Sequence, residues 1–329
     1  MALRKKTVAA IVGATTAVLI AIAVITVVNI AGNRSEASDA TSTAVRFNLT
    51  KDQNRIRLDQ VPAAVDALKA SGFEPVEAGR LTVVTSTDGS PPLNFYADDN
   101  TTVIGNEPDI AQLIADGLGL ELNLKTAAWA DWPLGIQSGK YDLVTSNVTV
   151  TEERKELYDF ASYRQDLLGF YVKADSKVDS LKTAKDVAGL RIIVGSGTNQ
   201  EKVLQTWDKE NKEKGLKPVD FQYYDDQAAA NLAIQSGRAD AWLGPNASGA
   251  YLAASTNRTK LVGTLDGGWP ETAPIAAATD KGNGLAEPVN IVLNEAIADG
   301  AYAKVLKRWG LGTEAIEKSE LNPPGLPKS

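Results

Sequence analysis

Residues 146–160 read SNVTVTEERKELYDF, and Arg154 is the member whose type and position most need a chemical reason. The pattern predicts a strand running into a short helix capped by Thr151, with Glu152 and Glu153 in the first turn. The start of a helix favours negative charge, so a cation is disfavoured there. The helical neighbours of Arg154 are Val150, Thr151, Leu157 and Tyr158, none acidic, whereas Lys155 has Glu152 three residues before it and Asp159 four after. A planar guanidinium offers paired donors to a carboxylate. Arg154 is therefore a candidate carboxylate clamp, for Asp159 or Glu156 across a loop or for a bound molecule. A second anion-seeking feature is GSGTNQE at 195–201, which follows a predicted strand and opens a predicted helix, so that its N–H groups and the helix dipole favour negative charge.

Two absences narrow the chemistry further. The chain has no histidine, which excludes a Ser-His-Asp arrangement and every His-ligated metal, and no cysteine, which excludes thiol nucleophiles, Cys-zinc sites and disulfides. Any catalytic role would fall to Asp, Glu, Lys, Tyr or Ser, and no cofactor or metal is expected. A lipoprotein's cysteine anchor is excluded too. The formal net charge of -7 and a pI near 4.9 argue against nucleic acid as a partner.

The elements that must position these residues read as follows. The 329-residue chain is 43% hydrophobic and 23% charged, suited to one or two globular domains. It starts MALRKK and continues with an apolar run over 7–32, long enough to cross a hydrocarbon core of about 30 Å. Domain 1–32 is thus a signal or membrane anchor, its basic end kept inside and the rest exported, with cleavage after Ala37 as the alternative. Residues 33–79 read as a stalk and lead-in with a short helix around PAAVDALKASG. From Leu81, short β-rich runs alternate with helical ones (LTVVTS, PDIAQLIADGLG, ELNLKT, DLVTSNVTV), which predicts an α/β lobe with a largely parallel sheet. A second alternation starts near 181 with KTAKDVAG and RIIVGSG and ends at ADAWLG. The extended runs LLGFYVKADS and PIAAATDK separate the two, giving lobe 1 as 80–170 plus 275–329 and lobe 2 as 171–274. The last helical stretch carries an apolar stripe of Val289, Val292, Leu293, Ala296 and Ile297 for packing on lobe 1.

Six landmarks in order, TSTDGSPPLNFY, GNEPDIAQLIADGLG, WADWPLGIQSGKYDLVTSNVTVTEERKELYDFASY, KDVAGLRIIVGSGTNQE, LAIQSGRADAW and DGAYAKVLKRWGL, give residues 80–312 a resemblance to a known family. The chain resembles the extracytoplasmic solute-binding proteins of ABC importers for polar amino acids. The resemblance implies a type II periplasmic-binding-protein fold, two α/β lobes joined by two hinge strands and closing on a solute. It implies that Arg154 clamps a ligand carboxylate and that Thr149 donates to it. Ser146 and Asn147 would reach the ligand's ammonium or amide edge, Trp129 would cover its side chain, and Thr198 and Asn199 would approach the carboxylate from the second lobe. Trp132 and Trp269 compete for any aromatic role, and Asp109 reads as a helix-start charge.

The chain also departs from the family. Amino-acid binders of this kind carry an aspartate for the ligand ammonium five residues after the Asp of the GRxDA stretch; counting from Asp240, this chain has Pro245. Asn246 with nearby carbonyls, or Asp88, would have to compensate, or the ligand lacks an α-amino group. Ser90 replaces an aromatic of the first loop, leaving Phe95 or Tyr96 to serve. The leading expectation is a non-enzymatic receptor tethered to the membrane that delivers a small polar carboxylate to an ABC permease. The alternative on the same resemblance is an exported enzyme similar to cyclohexadienyl dehydratase.

Overall fold

The computed structural model describes residues 47–86, 91–224 and 226–328. The expected anchor at 1–32, and Asp88 and Ser90, lie outside them. Among the described residues, no helix is long and apolar enough to cross a membrane.

In chain order the first part holds α1 (Pro62–Ser71), β1 (Arg80–Ser86), β2 (Phe95–Tyr96), β3 (Val103–Ile104), α2 (Asn106–Leu118), β4 (Glu121–Ala127), α3 (Trp132–Gln137), β5 (Leu143–Val144) and β6 (Tyr158–Gln165). The middle holds β7 (Leu167–Lys173), β8 (Arg191–Ile193), α4 (Asn199–Glu213), β9 (Asp220–Gln222), α5 (Gln227–Gln235), β10 (Ala241–Pro245), α6 (Asn246–Thr256) and β11 (Thr259–Asp266). The return adds β12 (Pro274–Asp280), α7 (Ala286–Asp299) and α8 (Ala301–Arg308).

These strands make two five-stranded sheets, ordered β4-β1-β5-β12-β6 and β11-β7-β10-β8-β9. In the first, Leu81 and Val83 face one core with Ile110 and Ile114 of α2, while Val84 faces the other with Phe160 and Trp132. That is the period-two alternation of a strand covered on both faces. In the second, Leu168, Phe170 and Val172 of β7 meet Leu243, Ile192 and Trp207. Each sheet is mixed rather than largely parallel, because β12 and β6, like β11 and β7, pair antiparallel. The chain leaves the first sheet at Asp166, between β6 and β7, a few residues before 170, and comes back between β11 and β12.

Three further expectations change. Residues 47–79 are not a stalk where described: the Arg57 guanidinium binds Asp116, the Val61 N–H binds Gly117 O at 2.9 Å, and α1 packs on α7. The apolar stripe does pack on the first lobe, with Val289, Val292 and Leu293 buried, but the helix is broken at Gly300, whose φ of 82° suits a residue without a Cβ. The expected strand at 145–150 is a loop stitched to β12, through Val150 N–H to Pro274 O and Ala276 N–H to Val148 O, both at 2.9 Å.

Candidate ligand-binding site

The Arg154 side chain bridges the two lobes. Its backbone N–H donates to Thr151 Oγ1 at 3.1 Å, but the expected helix is a single 3-10 turn, Arg154–Glu156, whose N-cap position is Glu153 rather than Thr151. So short a turn has little dipole to oppose the charge. The guanidinium folds back over the loop: Nη1 donates to Thr149 O at 2.8 Å and Nη2 to Gly197 O of the second lobe at 3.3 Å. It also lies 5.5 Å from the Trp129 ring centre and 5.8 Å from that of Trp132, within cation–π range. Neither acid proposed as an internal partner takes it, since Glu156 pairs with Lys328 and Asp159 with Lys281. Burial pulls its pKa down to about 10, with Glu153 and then Tyr158 acting the other way, so the group stays charged at neutral pH.

The rest of the first-lobe loop is mostly buried and alternates polar residues with the core residues Val148 and Val150. Ser146 Oγ accepts the Ser86 N–H at 2.9 Å, and Asn147 adopts a left-handed φ of 52°, a conformation asparagine tolerates better than most residues. Thr149 is 1% exposed, and its Oγ1 has no hydrogen-bond partner among the described residues. An unsatisfied buried hydroxyl costs about 1–3 kcal/mol, which a bound acceptor would relieve. Trp129 stands half-buried in a short 3-10 turn against Trp132 at 6.0 Å. Trp132 is 3% exposed and belongs to the core, and Trp269, just past β11, packs on Trp207 of the second lobe. Phe95 packs on Trp309, whereas Tyr96 is exposed, so neither stands with this group. Asp109 starts α2 as read, and it accepts the buried Trp309 Nε1–H at 2.8 Å.

From the second lobe, Thr198 caps α4, its Oγ1 accepting the Glu201 N–H at 3.2 Å and donating to Gly195 O at 2.7 Å. The Asn199 side chain is tied to the hinge, its Nδ2 reaching Asp166 Oδ2 at 2.8 Å and Gly267 O at 2.6 Å. Asn246 is held within its own lobe, accepting the Tyr171 hydroxyl at 2.9 Å. Pro245 ends β10 next to it. Lys202 of α4 pairs across the lobes with Glu153.

Behind Asn147 lies a buried ionic network that the motif reading missed. Arg164, 1% exposed, pairs with Glu107 at 2.8 Å and with Glu314, and its Nη2 donates to Asn147 Oδ1 at 2.6 Å. The Tyr163 hydroxyl donates to Glu107, and Asn147 N–H approaches the same carboxylate at 3.2 Å. Burial drives the Glu314 carboxyl up to about 7 and raises Asp166 as well, with Arg164 opposing both. A signal was present: the charges of Arg164 and Asp166 interrupt the largely apolar run FASYRQDLLGFYV.

Residues 81–312 match the bacterial extracellular solute-binding proteins, family 3. The L-cystine-binding protein TcyJ of Escherichia coli (strain K12) is 31% identical over 233 residues, covering 70% of this chain and 83% of that protein. The solved structure of an ancestral arginine-binding protein bound to arginine is 30% identical with a TM-score of 0.62, covering 70% of this chain and 98% of the other. The ancestral amino acid-binding protein AncCDT-1, a precursor of cyclohexadienyl dehydratase, is alike in fold, at 24% identity and a TM-score of 0.60 over 74% of this chain and 98% of that one.

Proposed function

The chain belongs to the bacterial extracellular solute-binding proteins, family 3, and from that premise we propose that it captures an amino acid or close derivative between its lobes. It works outside the cytoplasm and passes its ligand to the permease of an ABC importer. The observation that carries the ligand class is Arg154, a half-buried cation whose donors reach backbone carbonyls of both lobes, at Thr149 and Gly197. A ligand carboxylate would replace neutral acceptors with a charged one, and each such hydrogen bond is worth about 1.5–3 kcal/mol. Because the donors come from the seam between lobes, binding would favour the closed arrangement.

Within this reading Thr149 Oγ1 donates to the carboxylate, the Thr198 and Asn199 backbone N–H groups approach it from α4, and Trp129 covers the ligand. Ser146 and Asn147 shape the opposite edge. Residues 47–166 with 274–328 form the first lobe and 167–266 the second. The run over 7–32 is assigned as the tether to the cell membrane on its length and apolarity. Binding rather than catalysis is the role we assign; the dehydratase alternative is supported by a likeness of fold alone.

The test is a thermal-shift screen of the chain against the standard L-amino acids and L-cystine, followed by calorimetry on wild type and Arg154→Ala. A ligand at about 100 times its Kd raises stability by about 2.7 kcal/mol, a clear shift in melting temperature. We expect one class of amino acid to bind, and Arg154→Ala to abolish that binding while keeping its own cooperative melt. Undiminished affinity in Arg154→Ala would remove the carboxylate assignment.

A further inference from the structure

An amino acid carries its ammonium on the same carbon as its carboxylate, so an acid that reads the ammonium must sit close to the Arg154 clamp. Pro245 supplies no charge. Asp166 does. It lies at the crossing between β6 and β7 and is 4% exposed. Its Oδ2 accepts from Asn199 Nδ2 at 2.8 Å, its buried Oδ1 has no partner at full hydrogen-bond geometry among the described residues, and the Asn147 side chain beside it also favours the ionised form. Asn199 is two residues from Gly197, whose carbonyl Arg154 touches; Asn147, whose side chain faces Arg164 and Asp166, is two residues from Thr149, the other Arg154 contact. The same two loops that hold the clamp therefore also converge on Asp166.

The local charge balance points the same way. Among the described residues Glu107, Glu314 and Asp166 share one buried cation, Arg164, so the cluster has more carboxyl groups than cations. Buried carboxyls without enough positive partners are costly to ionise and are relieved by a cation from elsewhere. Resting on the reading of the cleft as an amino-acid site, we propose that Asp166 is the specificity residue that receives the ligand's ammonium, in place of the acid absent at Pro245. Asn199 and Asn147 position it, and Gly267 makes room, since a Cβ there would lie 2.4 Å from the Asp166 Cβ.

The experiment compares each amino acid with its deaminated counterpart, L-arginine with 5-guanidinopentanoate and L-glutamine with glutaramate among them, by calorimetry on wild type, Asp166→Asn and Arg154→Ala. Asp166→Ser is the second variant, and the unliganded melt of each is recorded. Wild type should prefer the amino acid, and both Asp166 variants should lose about tenfold or more for it. Their affinity for the deaminated acid should hold or rise, so the discrimination collapses. A merely structural role would weaken both ligands equally and leave their ratio unchanged, which would overturn the proposal. Arg154→Ala loses both ligands if the carboxylate reading holds. A wild-type protein that binds no amino acid in the screen would overturn the ligand class and this assignment together.

Discussion

Arg154 keeps a charge in a place that strips it of water, and its acceptors are carbonyls rather than a carboxylate of its own chain. Lysine would keep the charge but lose the planar fork that spans Thr149 O and Gly197 O, so Arg154→Lys should retain the fold and lose most of its affinity, on the order of a hundredfold. Thr149 offers a sharper test because two effects have opposite signs. Its buried Oγ1 is unpartnered among the described residues, so Thr149→Val should leave the unliganded melt unchanged or raise it, by up to about 1 kcal/mol of stability, while calorimetry shows roughly tenfold weaker binding of the amino acid. A loss of both would mean that the hydroxyl serves the fold. Of these features, the sequence marked Arg154 as a cation without an acidic helical neighbour, although the helix dipole invoked against it is absent because the turn is only Arg154–Glu156. Its actual acceptors were not legible there, since Gly197 lies 43 positions away.

At the level of elements, the buried network joins the start of α2, the end of β6 and the short turn at Gly312–Glu314. Glu314 sits 5% exposed beside Arg164, with Glu107 and Asp166 close, and its carboxyl is raised from an ordinary 4.5 to about 7, chiefly by burial. Between those values the unfolded chain has released the proton that the folded chain still holds. Raising the pH through this window therefore costs stability, and the contribution is greatest below 4.5. Melting temperatures at pH 5 and 7.5 should fall more for wild type than for Glu314→Gln, in which the titrating proton is gone. An equal fall in the two proteins would show that Glu314 titrates elsewhere. Sequence patterning captured α2, α4 and α7 because they are long and periodic. It over-read 145–150 as strand, since β-branched residues there serve a loop held by β12 rather than a sheet position.

For the molecule as a whole, the lobes meet at Arg154 and Gly197, at Glu153 and Lys202, and where Phe47 stacks on Tyr251 of α6 at 5.3 Å. The ion pair is partly exposed, and such pairs contribute about 0–1 kcal/mol. Lys202→Met should thus weaken binding no more than about fivefold, mostly as a faster off-rate in stopped-flow experiments, while Arg154 variants lose far more. A loss as large as that of Arg154→Ala would make Lys202 a ligand contact. The two-lobed plan was readable from two βα alternations separated by extended runs, a pattern that local periodicity carries by itself.

The sequence by itself determined the chemistry that is excluded, the two α/β units, and the unusual arginine, because composition, periodicity and helix-end electrostatics are local properties. The tertiary structure alone decided which groups share a site. Arg164 and Glu314 are 150 positions apart, and Asn199 and Asp166 meet only because the start of α4 folds back against the crossing between β6 and β7. Burial then sets their charge states, and burial is a property of the packed molecule that no short stretch contains.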